Sequence, residues 1–268
     1  MNIKQNLTYL LLILILLLNF AVYFLFNIPD ENREPLTSIP YLLPPLLASI
    51  GGFFATKNYG LKSKSGKAFL MLSIGMLLWF TGDTLWEIFE ELLDIDPYPS
   101  VADFAYQLAY VFLCIGFFNL ATLAKVHLTT KKIVFSSIFI VIVSVLVSYF
   151  GIYSAFDPEA TILENVVGIS YGIGDLILVV ASIFIILLSL EHFGGRIFFS
   201  WITITLALLF TLIADIGFAI YYEEYETFSI YTKVLDQLWI IAYLLFAMGF
   251  FRIGFILKDF QERLKAIK

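Results

Sequence analysis

Apolar residues run along this chain in eight long stretches separated by short polar segments: Leu7 to Phe26, Tyr41 to Thr56, Ala68 to Leu92, Val101 to Leu123, Ile133 to Ile152, Ile162 to Leu190, Ile197 to Tyr222 and Ile230 to Phe251. Uninterrupted runs of roughly 17 to 25 apolar residues cross a hydrocarbon core about 30 Å thick as helices. The pattern predicts an all-α membrane protein with eight transmembrane helices. The first stretch follows Lys4 as the core of a signal peptide would, but it is too long and lacks a small-residue cleavage site, so it is expected to stay as a helix. Pro44 and Pro45 interrupt the second stretch and predict a kink there.

Composition turns this pattern into an exclusion. Of 268 residues 60% are hydrophobic, 18% aromatic and only 14% charged, with a mean hydropathy of +0.91, whereas a soluble domain carries about 25% charged residues. A water-soluble globule is ruled out. A net charge of −6 speaks against a nucleic-acid partner, although in a membrane protein the side on which charges fall matters more than their sum. With the amino terminus inside, 14 of the 16 basic residues fall on the cytoplasmic side and only Arg33 and Lys233 lie outside. The positive-inside rule requires this asymmetry, which arises only for an even number of spans. The expected placement is the cell membrane, with both termini cytoplasmic and 19 of the 22 acids in the outer loops or the membrane. The short tail after Phe251 is expected to hold no soluble output domain and predicts a basic helical end near anionic headgroups. Cys114 has no partner for a disulfide or a cysteine metal site. His127 and His192 fall in loops, so no histidine lies at membrane depth for zinc or haem. No cofactor is implied.

The halves of the chain resemble each other. ADFAYQLAYVFLCIGFF from Ala102 aligns with LDQLWIIAYLLFAMGFF from Leu235, with Asp103 on Asp236, Tyr110 on Tyr243 and Gly116-Phe117-Phe118 on Gly249-Phe250-Phe251, all at one offset of almost half the chain. Ala48-Ser49-Ile50 and Ala181-Ser182-Ile183 share that offset, and Asp83 matches Asp215 at an offset shorter by one. Chance similarity between apolar segments accounts for shared Phe and Leu but poorly for rare aspartates in one register. The expectation is two tandem four-helix copies, residues 1–127 and 128–268, related by a pseudo-two-fold axis along the membrane normal.

Acids inside the spans carry the candidate chemistry, because a charged carboxylate at mid-membrane costs roughly 2.5 to 3.5 kcal/mol on insertion scales. Asp83, Asp175 and Asp215 lie well inside their spans; Glu87, Asp103, Glu164 and Asp236 lie nearer the outer surface. Helical spacing aligns Trp79, Asp83, Glu87 and Glu90, then Glu164, Gly168, Tyr171, Asp175 and Ser182, and then Thr211, Asp215 and Tyr222. Asp103, Tyr106 and Tyr110 form a further stripe, as do Asp236, Trp239 and Tyr243. No Lys or Arg lies at this depth. The acids therefore either hydrogen-bond as neutral interhelical glue, hold a cation, or line a water-filled pocket open to the outside. That pocket would be built from Asp83, Glu87, Asp103, Tyr106, Tyr110, Tyr171, Asp175, Asp215, Asp236, Trp239 and Tyr243. GIGD at Gly172 to Asp175 also matches the GxGD signature of intramembrane aspartyl proteases, with Asp83 or Asp215 as the second carboxylate. AIYYEEY and FGIY belong to the outer aromatic belt.

Taken together, GDTLWEIFEELLDIDPYPSVADFAYQLAYVFLCIGF and the residues downstream of it resemble the membrane region that precedes cytoplasmic output domains in bacterial and archaeal signalling proteins, including GGDEF/EAL cyclic-di-GMP enzymes and sensor histidine kinases. The resemblance spans Gly82 to Phe251 and rests on Pro99-Ser100-Val101-Ala102-Asp103, Tyr171 to Asp175, Ala214-Asp215, and Asp236, Trp239 and Tyr243. Gly172 stands where that family often has proline. The resemblance implies a sensory or ligand-receiving module without catalytic residues, serving a small ligand or cation from outside and a separate cytoplasmic signalling partner. A cation- or proton-coupled transporter and an intramembrane aspartyl protease remain as alternatives.

Overall fold

A computed structural model describes residues 3–26, 30–123, 129–191 and 195–267. His127 and His192, and the basic residues Lys125 and Lys268, lie outside the described residues, as do the side chains of Arg33 and Ser182. Where described, the chain is helical, without strands: α1 Ile3–Phe20, α2 Asp30–Tyr59, α3 Lys64–Glu87, α4 Val101–Leu123, α5 Thr130–Leu146, α6 Ile162–Glu191, α7 Phe198–Ile220, the short α8 Tyr222–Glu226, and α9 Ile230–Ile267. π-Helical turns prolong α1 over Ala21–Leu25, α3 over Ile88–Leu92 and α5 over Val147–Tyr153.

Among the described residues seven helices, α1 to α5, α7 and α9, are long and apolar enough to cross a membrane. The chain is a multi-pass membrane protein. The stretch expected to span from Ile162 to Leu190 forms the 30-residue α6. Two helices outrun the expected spans. α2 starts at Asp30 and passes through Pro44 and Pro45 as one helix, and α9 carries its apolar stretch without a break into the charged tail, 38 residues in all. Apolarity marks the membrane-crossing part of a helix, not its ends.

Local signals set several ends. Ser63 accepts a hydrogen bond from Gly66 N to cap α3, and Thr129 does the same for α5 from Lys132 N. Gly60, at φ +81, closes α2. At α4 Ser100 and Asp103 form a capping box: Ser100 Oγ accepts from Ala102 N, and Asp103 Oδ2 accepts from Ser100 N. Thr161 and Glu164 form a second at α6, Thr161 N donating to Glu164 Oε2 and Glu164 N to Thr161 Oγ1.

Packing is closest between α3 and α4, α2 and α9, α2 and α3, and α7 and α9. α6 leans on α7 and α4, while α1 and α5 flank the bundle with most of their surface outward. Small residues allow the close approaches, as is usual between helices in membranes. A Cβ added to Gly116 of α4 would meet the Leu72 side chain and Ala68 O of α3, and one added to Gly249 of α9 would meet the Ile204 side chain and Ser200 O of α7. Leu72 and Ile204, and likewise Ala68 and Ser200, stand at the same separation along the chain as Asp83 and Asp215.

Candidate functional site

Where the carboxyl ends of α3 and α7 meet the amino ends of α4, α6 and α9, the bundle encloses a cavity of about 350 Å³, within the size range of small-ligand pockets. Among the described residues twelve aromatic and six acidic side chains line it, and no Lys, Arg or His does. Of the residues singled out in the sequence, Asp83, Glu87, Asp103, Tyr106, Tyr110, Tyr171, Asp175, Asp215, Trp239 and Tyr243 line this cavity. Asp236 is not among them. It is buried to one side, where its Oδ1 accepts from Tyr225 Oη at 2.7 Å and Tyr23 lies against it.

Each aspartate is held by a phenol or indole, and the donor comes from another element, not from the stripe on its own helix. Tyr106 Oη of α4 donates to Asp83 Oδ1 of α3 at 2.8 Å. Trp239 Nε1 of α9 donates to Asp215 Oδ1 of α7 at 2.7 Å. Tyr110 Oη of α4 donates to Asp175 Oδ1 of α6 at 2.6 Å and approaches Asp215 Oδ2 at 3.4 Å, and the carboxyl groups of Asp175 and Asp215 lie beside each other. Tyr171 Oη of α6 donates to Asp103 Oδ1 at 2.6 Å. With the capping bond at Oδ2, both oxygens of Asp103 are taken, so its part is to start α4 and tie it to α6.

Asp83 differs. Only 4% of it is exposed, yet Oδ2 is buried with no hydrogen-bond partner. Tyr243 lies beside it without hydrogen-bond geometry. Trp79, one turn below on α3, packs edge-on to Tyr110 and to Tyr243, each at 5.9 Å between ring centroids. The floor of the cavity is therefore aromatic, and the Asp83 carboxyl group beside it keeps one buried oxygen without a partner.

The two glycines of GIGD have packing roles. A Cβ on Gly172 would meet Ile152 and Gly151 O, and a Cβ on Gly174 would sit 2.6 Å from the Tyr110 ring. Gly82, just before Asp83, seats the Tyr106 ring in the same way. A small residue ahead of a buried aspartate thus marks the place where a neighbouring tyrosine lies flat enough to reach the carboxyl group.

Several lining residues do not stand out in the sequence. Tyr41 enters from α2, Gly151, Ser154 and Ala155 from the turn after α5, and Phe218 from α7. Tyr225, expected in the interfacial belt with the rest of AIYYEEY, turns inward to Asp236; burial first, and then Asp236, push its hydroxyl well above the ordinary tyrosine range. Tyr98, from the loop before α4, donates to Glu164 O at 2.7 Å and closes the rim between α4 and α6. Burial and then Asp103 and Glu164 push the Tyr98 hydroxyl up to about 12, which keeps it a neutral donor. Tyr98→Phe is expected to cost about 0.5–1.5 kcal/mol, read as a small drop in thermal stability with unchanged helix content.

No known family matches this chain, and no curated protein or solved structure is detectably similar to it.

Proposed function

We propose that this protein is a non-enzymatic, sensor-like membrane module of eight transmembrane helices whose acidic and aromatic cavity receives a small ligand from the outer side of the cell membrane. The observation that carries this reading is the Asp83 carboxyl group, which lines a cavity of ligand size and keeps one oxygen, Oδ2, buried without a hydrogen-bond partner. Interhelical glue satisfies its polar groups; this one is unsatisfied, and an unpaired buried acceptor is costly unless something visits it.

In this reading residues 1–127 and 128–268 are tandem copies about a pseudo-two-fold axis along the membrane normal. Matching contacts support the duplication. Gly116 and Gly249 sit on corresponding residues of α3 and α7, and Tyr106 binds Asp83 as Trp239 binds Asp215, with Tyr106 and Trp239 at the same offset as Asp103 and Asp236. Tyr110 crosses to Asp215 of the other copy while Tyr243 crosses toward Asp83. Asp175 breaks the symmetry, because Leu42 stands at the corresponding place in α2. Both termini are cytoplasmic by the positive-inside rule. A separate signalling partner would meet that inner end, where Arg196, Arg252 and Arg263 border a second cavity of about 650 Å³.

Substituted-cysteine labelling tests the reading. In a Cys114→Ser background, Ala219→Cys at the cavity wall is expected to react with a membrane-impermeant maleimide from the outside of sealed vesicles and not from the inside. Labelling from both sides would replace a receptor with a transporter, since alternating access opens one site to each face in turn.

One contact favours a second reading. Asp175 of GIGD and Asp215 touch across α6 and α7 as the two acids of an aspartyl protease do. The purified protein is expected to leave a transmembrane peptide intact; cleavage abolished by Asp175→Ala would establish the protease instead.

A further inference from the structure

We infer that the ligand of this cavity is an organic ammonium ion that keeps at least one N–H, its charge held on the Asp83 carboxyl group and its carbon skeleton against Trp79 and Tyr243. The inference rests on the ligand-receiving reading above and names the chemical class.

Four features select that class. The wall carries acids and no bases, which excludes an anion and leaves a neutral ligand with nothing to offset the negative field. A bare metal ion is a poor fit, since among the described residues no three acidic, cysteine or histidine side chains are grouped to hold one, and hard cations need about six oxygens. Asp83, Asp175 and Asp215 each already take a Tyr or Trp donor, and of their oxygens Asp83 Oδ2 is the one buried without a hydrogen-bond partner. A quaternary ammonium would satisfy the aromatic faces but offers that oxygen no hydrogen, whereas a protonated primary or secondary amine offers both a charge-assisted hydrogen bond and a skeleton for the aromatic floor. Trp79 is the anchor of that floor because it is itself wedged between Tyr110 and Tyr243.

The test uses the full chain in mild detergent with four kinds of probe at matched ionic strength: cyclohexylammonium, tetramethylammonium, cyclohexanol, and the chlorides of sodium, potassium, magnesium and calcium. Cyclohexylammonium is expected to raise Tm by about 2–4 °C at saturation and to protect Asp83 from carbodiimide modification, read by mass spectrometry. Asp83→Asn is expected to weaken its apparent Kd at least about tenfold. Carbodiimide protection needs no variant, so the inference stays testable if Asp83→Asn does not fold. Equal action by cyclohexanol would overturn the ionic basis. Stabilisation by tetramethylammonium or a metal ion alone, lost in Asp83→Asn, would overturn the ligand class and leave the ligand-receiving cavity standing. No effect of any probe would overturn the inference, and if Asp83→Asn is then also less stable than the parent, Asp83 is structural and the ligand-receiving reading falls with it.

Discussion

Gly174→Leu is expected to unfold at a temperature well below the parent, although it adds an apolar side chain to an apolar helix. The reason lies across the interface. A Cβ on Gly174 already falls 2.6 Å from Cδ1, 2.8 Å from Cγ and 2.9 Å from Cε1 of Tyr110, so the contact is with the body of a ring, not a flexible tip. Tyr110 cannot swing aside cheaply, because its hydroxyl is fixed on Asp175 and Asp215 and its ring packs edge-on to Trp79 and Tyr171. Overpacking of this kind costs about 1–3 kcal/mol, and displacing the hydroxyl leaves buried acceptors short of a donor at about 1–3 kcal/mol more. At roughly 2–4 °C per kcal/mol for a chain of this size, Tm should fall by roughly 5–15 °C at a fixed scan rate. A double-mutant cycle locates the cause: Gly174→Ala should cost clearly less when Tyr110 is already Ala. If Gly174→Leu melts with the parent, the ring is free to move and Tyr110 does not hold the two aspartates.

The same position shows what a sequence can and cannot convey. GIGD is visible as a motif, and its acid is visible as a costly residue in an apolar run; that the glycines seat Ile152 and Tyr110 is not, because those partners lie in the turn after α5 and on α4, far away along the chain. The apolar stretches placed the helices well, since hydrophobic length follows membrane thickness. They did not show that α2 begins at Asp30, because backbone hydrogen bonding continues past the point where apolarity is required; the helical end expected after Phe251 is present, with α9 running on to Ile267. Helical stripes gathered Asp83 with Trp79, and Tyr106 with Tyr110, correctly by face, but a stripe does not say which neighbour it meets. Tyr106 could be placed beside Asp103 on its own helix, while its hydroxyl goes to Asp83 on another. Tyr41 and Tyr98 carried no signal at all beyond being aromatic near a span end. The unpartnered oxygen of Asp83 is a property of the packed bundle alone.

Asp175→Asn and Asp175→Leu should part company by more than any other pair of substitutions at this site. Asp175 is 5% exposed, its Oδ1 takes the Tyr110 hydroxyl at 2.6 Å, and its carboxyl group lies beside that of Asp215. Asparagine has almost the same shape; its oxygen still accepts from Tyr110 and its amide still donates toward Asp215, while one of two touching acids is gone. Like carboxylates in contact oppose each other, so Asp175→Asn should melt within about 2–4 °C of the parent or above it. Leucine removes the bond from Tyr110 and the polar contact with Asp215. It leaves the Tyr110 hydroxyl only the long 3.4 Å approach to Asp215 Oδ2 and sets an apolar side chain against the buried Asp215 carboxyl group; at about 1–3 kcal/mol for each buried polar group left short of a partner, Tm should drop by roughly 5–15 °C. The contrast separates two kinds of site. If hydrogen bonding is the part Asp175 plays, asparagine serves as well as aspartate, and the ligand's charge is answered by Asp83. If asparagine is as damaging as leucine, the negative charge at Asp175 is itself required, the ammonium or another cation sits between Asp175 and Asp215, and the centre of the cavity moves from α3 to the α6–α7 interface.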